Sequence, residues 1–190
     1  LRKDVLGAAE NVIRGRIQGH LDSGLPGTYF LWKGLMQLDR SDLVYLFTNT
    51  KEYPGWGYML ANGATTSWEN WTGASHIHNT LITIGGWFIE GLAGIRPDVE
   101  APGYRHFFIQ PAPVGDLTFA KARYHSVHGD IVSDWRIENG RFRLNVTVPP
   151  GTTATVVVPG EGPIRTQARR SPSSGGSGDR TFVFAAGTHA

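Results

Sequence analysis

At 190 residues and 40% hydrophobic content, the chain is long enough to bury one large core or two modest ones. Its formal net charge is +2 with 18% charged residues, and the basic side chains are scattered instead of gathered into the stripe that a phosphate backbone demands, so no nucleic-acid partner is expected. The absence of cysteine excludes a disulfide framework and a thiolate metal site. No apolar run approaches the roughly 20 residues that span a bilayer, so no membrane partner is expected either. The start, Leu1-Arg2-Lys3-Asp4, has neither a methionine nor a signal-peptide layout, and we expect it to lie inside a longer protein. Cytoplasmic, periplasmic and secreted locations all stay open.

From the amino terminus the apolar residues recur with helical spacing. Val5, Leu6, Ala9, Val12, Ile13 and Ile17 share one face, and the run stops at Gly19. A second helix is predicted near Gly27, carrying Phe30, Leu31, Leu35 and Leu38. A third starts at Ser41-Asp42, both good amino-terminal capping types, with Leu43, Val44, Leu46 and Phe47 behind them. Residues 51–73 are rich in glycine and aromatic residues, follow neither period, and form a connection long enough to suggest function. The spacing of Ile77, Leu81, Ile84, Phe88 and Leu92 predicts a fourth helix over residues 75–92, ended by Gly94 and Pro97.

After Ala101-Pro102-Gly103 the period becomes two. Residues 141–148 alternate without a break, placing Phe142, Leu144, Val146 and Val148 on one face. Another strand is predicted over 131–138, and the Asn139-Gly140 between the two favours a type I′ hairpin. Further strands are predicted over 106–110, 117–125, 153–158 and 180–184, and together these imply an antiparallel sandwich. The Ser/Gly-rich residues 171–178 are expected to form a mobile loop. The fold class expected is thus α+β and multidomain. Four amphipathic helices around a long glycine-rich loop, residues 1–103, look like part of a larger helical array, and residues 104–190 form a β-sandwich.

The loop carries the chemistry. Trp56, Trp68 and Trp71 fall within sixteen residues, and flat indole faces suit sugar rings, although core packing is the commoner use of tryptophan. Glu69, between two of them, is the candidate general base: the rings exclude water, strengthening its basicity, and can hold a sugar. A Glu paired with an Arg beside two core tryptophans satisfies the same pattern.

In this segment the string Y-P-G-W-G-Y-M-L-A-N-G-A-T-T-S-W-E-N-W, residues 53–71, resembles the signature of glycoside hydrolase family 78, the bacterial α-L-rhamnosidases, which reads close to Y-P-S-W-G-Y-M-x-x-x-G-A-T-T-x-W-E-x-W. The resemblance extends upstream through residues 20–28 and 40–43, and downstream through 93–98, 101–104, 109–111 and 117–118. It implies a partial (α/α)6 barrel followed by an antiparallel β-sandwich, and release of terminal α-L-rhamnose from a glycoside or polysaccharide with inversion. Inversion needs an acid for the leaving oxygen and a base for water, roughly 6.5–9.5 Å apart. By motif match Glu69 is the base, while Trp68 and Trp71, joined by Trp56, shape the sugar pocket. The family's acid lies in a motif close to R-D-E-R-L-G-W, which nothing here matches. The remainder of the barrel, upstream or in another chain, is therefore an expected partner, and this chain alone is expected to be nearly inactive.

Ser75-His76-Ile77-His78 resembles the family's S-x-N-H, with Ile in place of Asn. His78 would touch a sugar hydroxyl from the first turn of a helix, with structural capping as the alternative. Asp22, a second carboxylate in a glycine-rich setting, is a candidate for the substrate site; holding its loop by hydrogen bonds to backbone N–H groups is the alternative. Arg96-Pro97-Asp98 is expected to be structural, tying barrel to sandwich. His106, His125 and His128 lack metal-ligand spacing, so neither metal nor cofactor is expected. Two other readings stay open. One is a noncatalytic carbohydrate-binding or assembly module; the other is an inverting hydrolase of the same barrel type acting on another sugar such as fucose.

Overall fold

The computed structural model describes residues 2–21, 23–79, 81–160, 165–170 and 180–187. The chain divides into two compact units, Leu1–Trp87 and Phe88–Ala190. Among the described residues, no helix is long and apolar enough to cross a membrane.

In the first unit, α1 (Arg2–Asn11) runs into a π-helical turn, Val12–Arg16, and buries Ile13. Helix α2 (Leu25–Gln37) begins with Gly24 in extended conformation and Pro26 in its first turn, where the missing N–H costs nothing. Its buried positions are Thr28, Trp32, Leu35 and Met36, a stripe at helical spacing, whereas Phe30 is 69% exposed. The apolar face therefore centres on Trp32, rotated from the one predicted. Helix α3 (Ser41–Thr48) buries Leu43, Val44 and Phe47. Ser41 is not its cap: Arg40 occupies that position, while the Ser41 hydroxyl lies inside the first turn and accepts a hydrogen bond from Trp87 Nε1 at 3.2 Å.

Four charges join α1 to the start of α3. Arg14 bridges Glu10 (2.9 Å) and Asp42 (2.8 Å), and Arg40 bridges the same two carboxylates at 2.7 and 2.8 Å. The hydrogen bonds from Arg40 and Arg14 lower Glu10 to about 2, and Arg40 also holds Asp42 below the usual carboxylate range.

The predicted fourth helix does not form as one element. Residues 75–79 are irregular, Leu81–Thr83 make a 3-10 turn, and α5 spans only Ile84–Trp87 before a π-helical turn, Phe88–Leu92. Isoleucines, threonines and the Gly85-Gly86 pair are poor helix formers. Gly86 is also where the Trp32 ring packs, since a Cβ there would meet Trp32 Cη2 at 3.0 Å. A short helix absent from the reading above, α4 (Trp56–Ala61), lies inside the long loop.

The second unit contains two sheets. Strands β1 (Ile95–Pro97), β2 (His106–Ile109) and β6 (Thr153–Val156) form one in the order β1-β2-β6. Strands β3 (Phe119–Ser126), β4 (Gly129–Glu138), β5 (Arg141–Val148), β7 (Arg165–Arg170) and β8 (Arg180–Gly187) form the other in the order β3-β4-β5-β8-β7. All pairs are antiparallel except β2–β6, which is parallel. The β4–β5 turn has φ of +51° at Asn139 and +66° at Gly140, the two positive values a type I′ hairpin requires.

One core draws on both sheets: Ile95, Phe107 and Ile109 from the smaller, and Ile131, Trp135, Phe142, Leu144, Val146 and Val148 from the larger. Trp135 faces Leu144 across the ladder and stacks on Phe142. Two buried donors on β4 reach the end of the Phe88–Leu92 turn. Trp135 Nε1 donates to the Leu92 carbonyl at 2.7 Å and Ser133 Oγ to that of Ala93 at 2.6 Å, satisfying carbonyls that a helix end leaves open. Arg96 donates to Glu90 O and Gln110 Oε1, and the Asp98 carboxylate accepts from His106 Nδ1 at 2.6 Å, so this pair of charges ties together parts of the β unit. Residues 171–178 lie outside the described residues.

Candidate active site

The site is built from residues 66–78, where the chain folds back on itself. Glu69 N donates to Ser75 O at 2.8 Å, His78 N donates to Ser67 O at 2.9 Å, and Thr66 Oγ1 bonds His76 O. Trp68 and Glu69, adjacent in this fold-back, meet different surroundings. Trp68 turns inward, 7% exposed, and packs with Met59 and Leu81, with Trp56, Ala64 and Trp71 at the edge of that cluster. Glu69 turns the other way, half-buried, into an open cleft of about 520 Å³ lined also by Ser23, Tyr53, Asn70, Trp71 and Leu81.

Glu69 is the one carboxylate among the described residues lining this cleft, and Tyr53 is the other titratable group there. No described residue forms an ion pair with Glu69. Trp71 forms one wall and meets Trp56 edge to face, with centroids 5.2 Å apart and planes at 88°. The Trp56 Nε1–H is used on the Leu81 carbonyl at 3.2 Å, which fixes that ring behind Trp71.

Of the residues singled out from the sequence, the structure brings Glu69 and Trp71 together in the cleft, while Trp68 and Trp56 support it from the packed side. His78 is half-buried in the irregular stretch before Leu81, so the helical turn expected to present it is absent. His76 instead stacks on the Trp68 ring, with centroids 5.0 Å apart and planes at 16°. Asp22 lies outside the described residues; its neighbours Leu21 and Ser23 line the cleft. Tyr53 and Asn70 had no role in the sequence reading. Their signal was membership of the quoted string, and only the folded loop distinguishes them from the other residues in it.

A carboxylate and an indole thus share an open cleft on the helical unit, and a two-sheet β unit follows it in the chain. The chain belongs to the bacterial α-L-rhamnosidases: residues 2–92 match the bacterial alpha-L-rhamnosidase 6 hairpin glycosidase domain and residues 94–171 the bacterial alpha-L-rhamnosidase C-terminal domain. It is 34% identical over 160 residues to an alpha-L-rhamnosidase of Streptomyces avermitilis, covering 78% of this chain and 15% of that protein. To an alpha-L-rhamnosidase of Formosa agariphila it is 36% identical over 152 residues, covering 74% and 16%. The chain therefore spans about a sixth of the length of these curated relatives.

Among solved structures, it resembles the alpha-L-rhamnosidase from Dictyoglumus thermophilum, with a TM-score of 0.81 and 29% identity over 96% of this chain and 23% of the other. The Streptomyces avermitilis enzyme complexed with L-rhamnose gives a TM-score of 0.79 and 29% identity, over 92% of this chain and 19% of the other.

Proposed function

We propose that this chain supplies the general-base half of an inverting α-L-rhamnosidase site. The Glu69 carboxylate takes a proton from water as that water attacks the anomeric carbon of a terminal α-L-rhamnoside, and Trp71 forms the apolar wall against which the sugar ring lies. A carboxylic acid outside this chain, in the remainder of the barrel upstream or in another chain, protonates the departing oxygen. The observation that carries the reading is a carboxylate in an open cleft, beside an indole and free of any ion pair with the described residues. The exposed apolar side chains Phe30 (69%), Ile77 (83%) and Ile82 (59%) on the helical unit support assembly with further helices.

The test is Glu69→Gln in the enzyme with its whole barrel, following rhamnose release from an aryl α-L-rhamnoside. A fall of about 10²–10⁴-fold in kcat is expected for loss of a base, and near-normal turnover removes the assignment. The unmatched acid motif favours a second reading, a noncatalytic carbohydrate-binding module. Calorimetry that finds sugar binding, without hydrolysis even when the rest of the barrel is supplied, selects it.

A further inference from the structure

We propose that Asn70 is a positioning residue for the base, its side-chain oxygen holding the turn that aims Glu69 and Trp71 into the cleft. The inference rests on the reading of Glu69 given above. Three donors converge on Asn70 Oδ1: the Thr72 backbone N–H at 3.0 Å, the Thr72 hydroxyl at 3.0 Å and the Ala74 backbone N–H at 3.2 Å. Gly73 N–H adds a bond to the Asn70 carbonyl at 3.3 Å. A single acceptor thus closes the five-residue turn from 70 to 74, and the next residue, Ser75, receives the Glu69 N–H.

Burial does not hold this turn, because the side chains of Asn70, Thr72 and Ala74 are exposed. Hydrogen bonds do that work, and an oxygen that satisfies backbone donors in a turn is the usual device of an Asn or Asp side chain. Gly73 completes the geometry. Its φ of +83° is strained for any other residue, and a Cβ on it would lie 3.0 Å from His76 Nε2 and 3.3 Å from Trp68 Cε3, so closing the turn over the Trp68–His76 stack favours glycine there. The converging donors also decide which end of the amide points where: the oxygen must face the turn. Asn70 lies between Glu69 and Trp71 in sequence, so any relaxation of its backbone redirects both side chains at once. Small misplacements of catalytic groups are expensive in rate, which makes the side chain that holds this turn matter to turnover.

The experiment uses Asn70→Ala, Asn70→Asp, Glu69→Gln and the Glu69→Gln/Asn70→Ala double variant in the enzyme with its whole barrel, with an aryl α-L-rhamnoside as substrate. Asn70→Ala should lower kcat roughly 10- to 100-fold. Asn70→Asp keeps the accepting oxygen and should hold the plateau kcat within about threefold of the parent, because the loop bonds survive. The acid limb of its kcat profile should move to higher pH by a few tenths of a unit, since a second carboxylate beside the base disfavours the ionised form. On the Glu69→Gln background, Asn70→Ala should cost several-fold less in kcat than it does in the parent, because only its effect through Trp71 remains.

Parental kcat in Asn70→Ala, with Glu69→Gln inactive, overturns the inference and leaves the base standing. Near-normal turnover in Glu69→Gln removes the base reading itself. If Asn70→Ala does not fold, Asn70→Asp decides: the retained plateau with the displaced acid limb supports the inference, and loss of the plateau or an unmoved limb overturns it.

Discussion

Ser133→Ala isolates one buried hydrogen bond in the β unit. Ser133 is fully buried, and its hydroxyl donates to the Ala93 carbonyl at 2.6 Å. Its backbone pairs with Ala122 on β3 and Val146 on β5, and those ladder bonds do not depend on the side chain. Alanine fits the space of serine, so the substitution opens little cavity; its cost is the stranding of a buried carbonyl, about 1–3 kcal/mol. For a chain of this length each kcal/mol corresponds to roughly 2–4 °C, so the melting temperature should fall by roughly 2–12 °C. Scanning calorimetry measures it, with urea unfolding to confirm an unchanged slope. A shift below about 1 °C would show that the Ala93 carbonyl finds another donor, and would refute the argument that β4 caps the preceding helical turn.

Two further outcomes follow from packing and charge. Gly94 has φ of +81°, and a Cβ on it would lie 2.2 Å from the Gln110 carbonyl carbon, so Gly94→Ala should lower stability by more than about 3 kcal/mol; a normal melting curve would mean that the backbone of Gln110-Pro111, just after β2, yields easily. Glu10 and Asp42 are held low by Arg40 and Arg14, a depressed folded value, so their contribution is complete above the ordinary value near 4.5 and is lost as the pH falls toward about 2. Urea midpoints from pH 6 to 2 should fall steeply in the parent and less steeply in Arg40→Met, and equal slopes would place the acid sensitivity elsewhere.

The strands were legible wherever one face meets the core. Residues 141–148 alternate because Phe142, Leu144, Val146 and Val148 are all buried on one side, and the Asn139-Gly140 turn follows from the two backbone angles it needs. Strand β7, Arg-Thr-Gln-Ala-Arg-Arg, has no apolar alternation to betray it, and β1 is three residues long with a proline. Helical spacing misled over residues 75–92: Ile77 and Phe88 fit the period yet are 83% and 47% exposed, while the poor helix formers around Gly85-Gly86 admit only short turns. In the site, Glu69 could be singled out as a carboxylate among indoles. Which indole meets the cleft depends on the backbone of residues 66–78 reversing direction, and that is a property of Asn70 Oδ1 and Gly73, not of hydrophobicity.

The opposed orientations of Trp68 and Glu69 constrain the length of this loop as firmly as its composition. Deleting or inserting one residue within residues 66–78 would break the pairing of Glu69 N with Ser75 O and of His78 N with Ser67 O, and with it the packing of Trp68 on Met59 and Leu81. Loss of folding and loss of chemistry would then arrive together, so substitutions can diversify this segment, but single-residue length changes cannot.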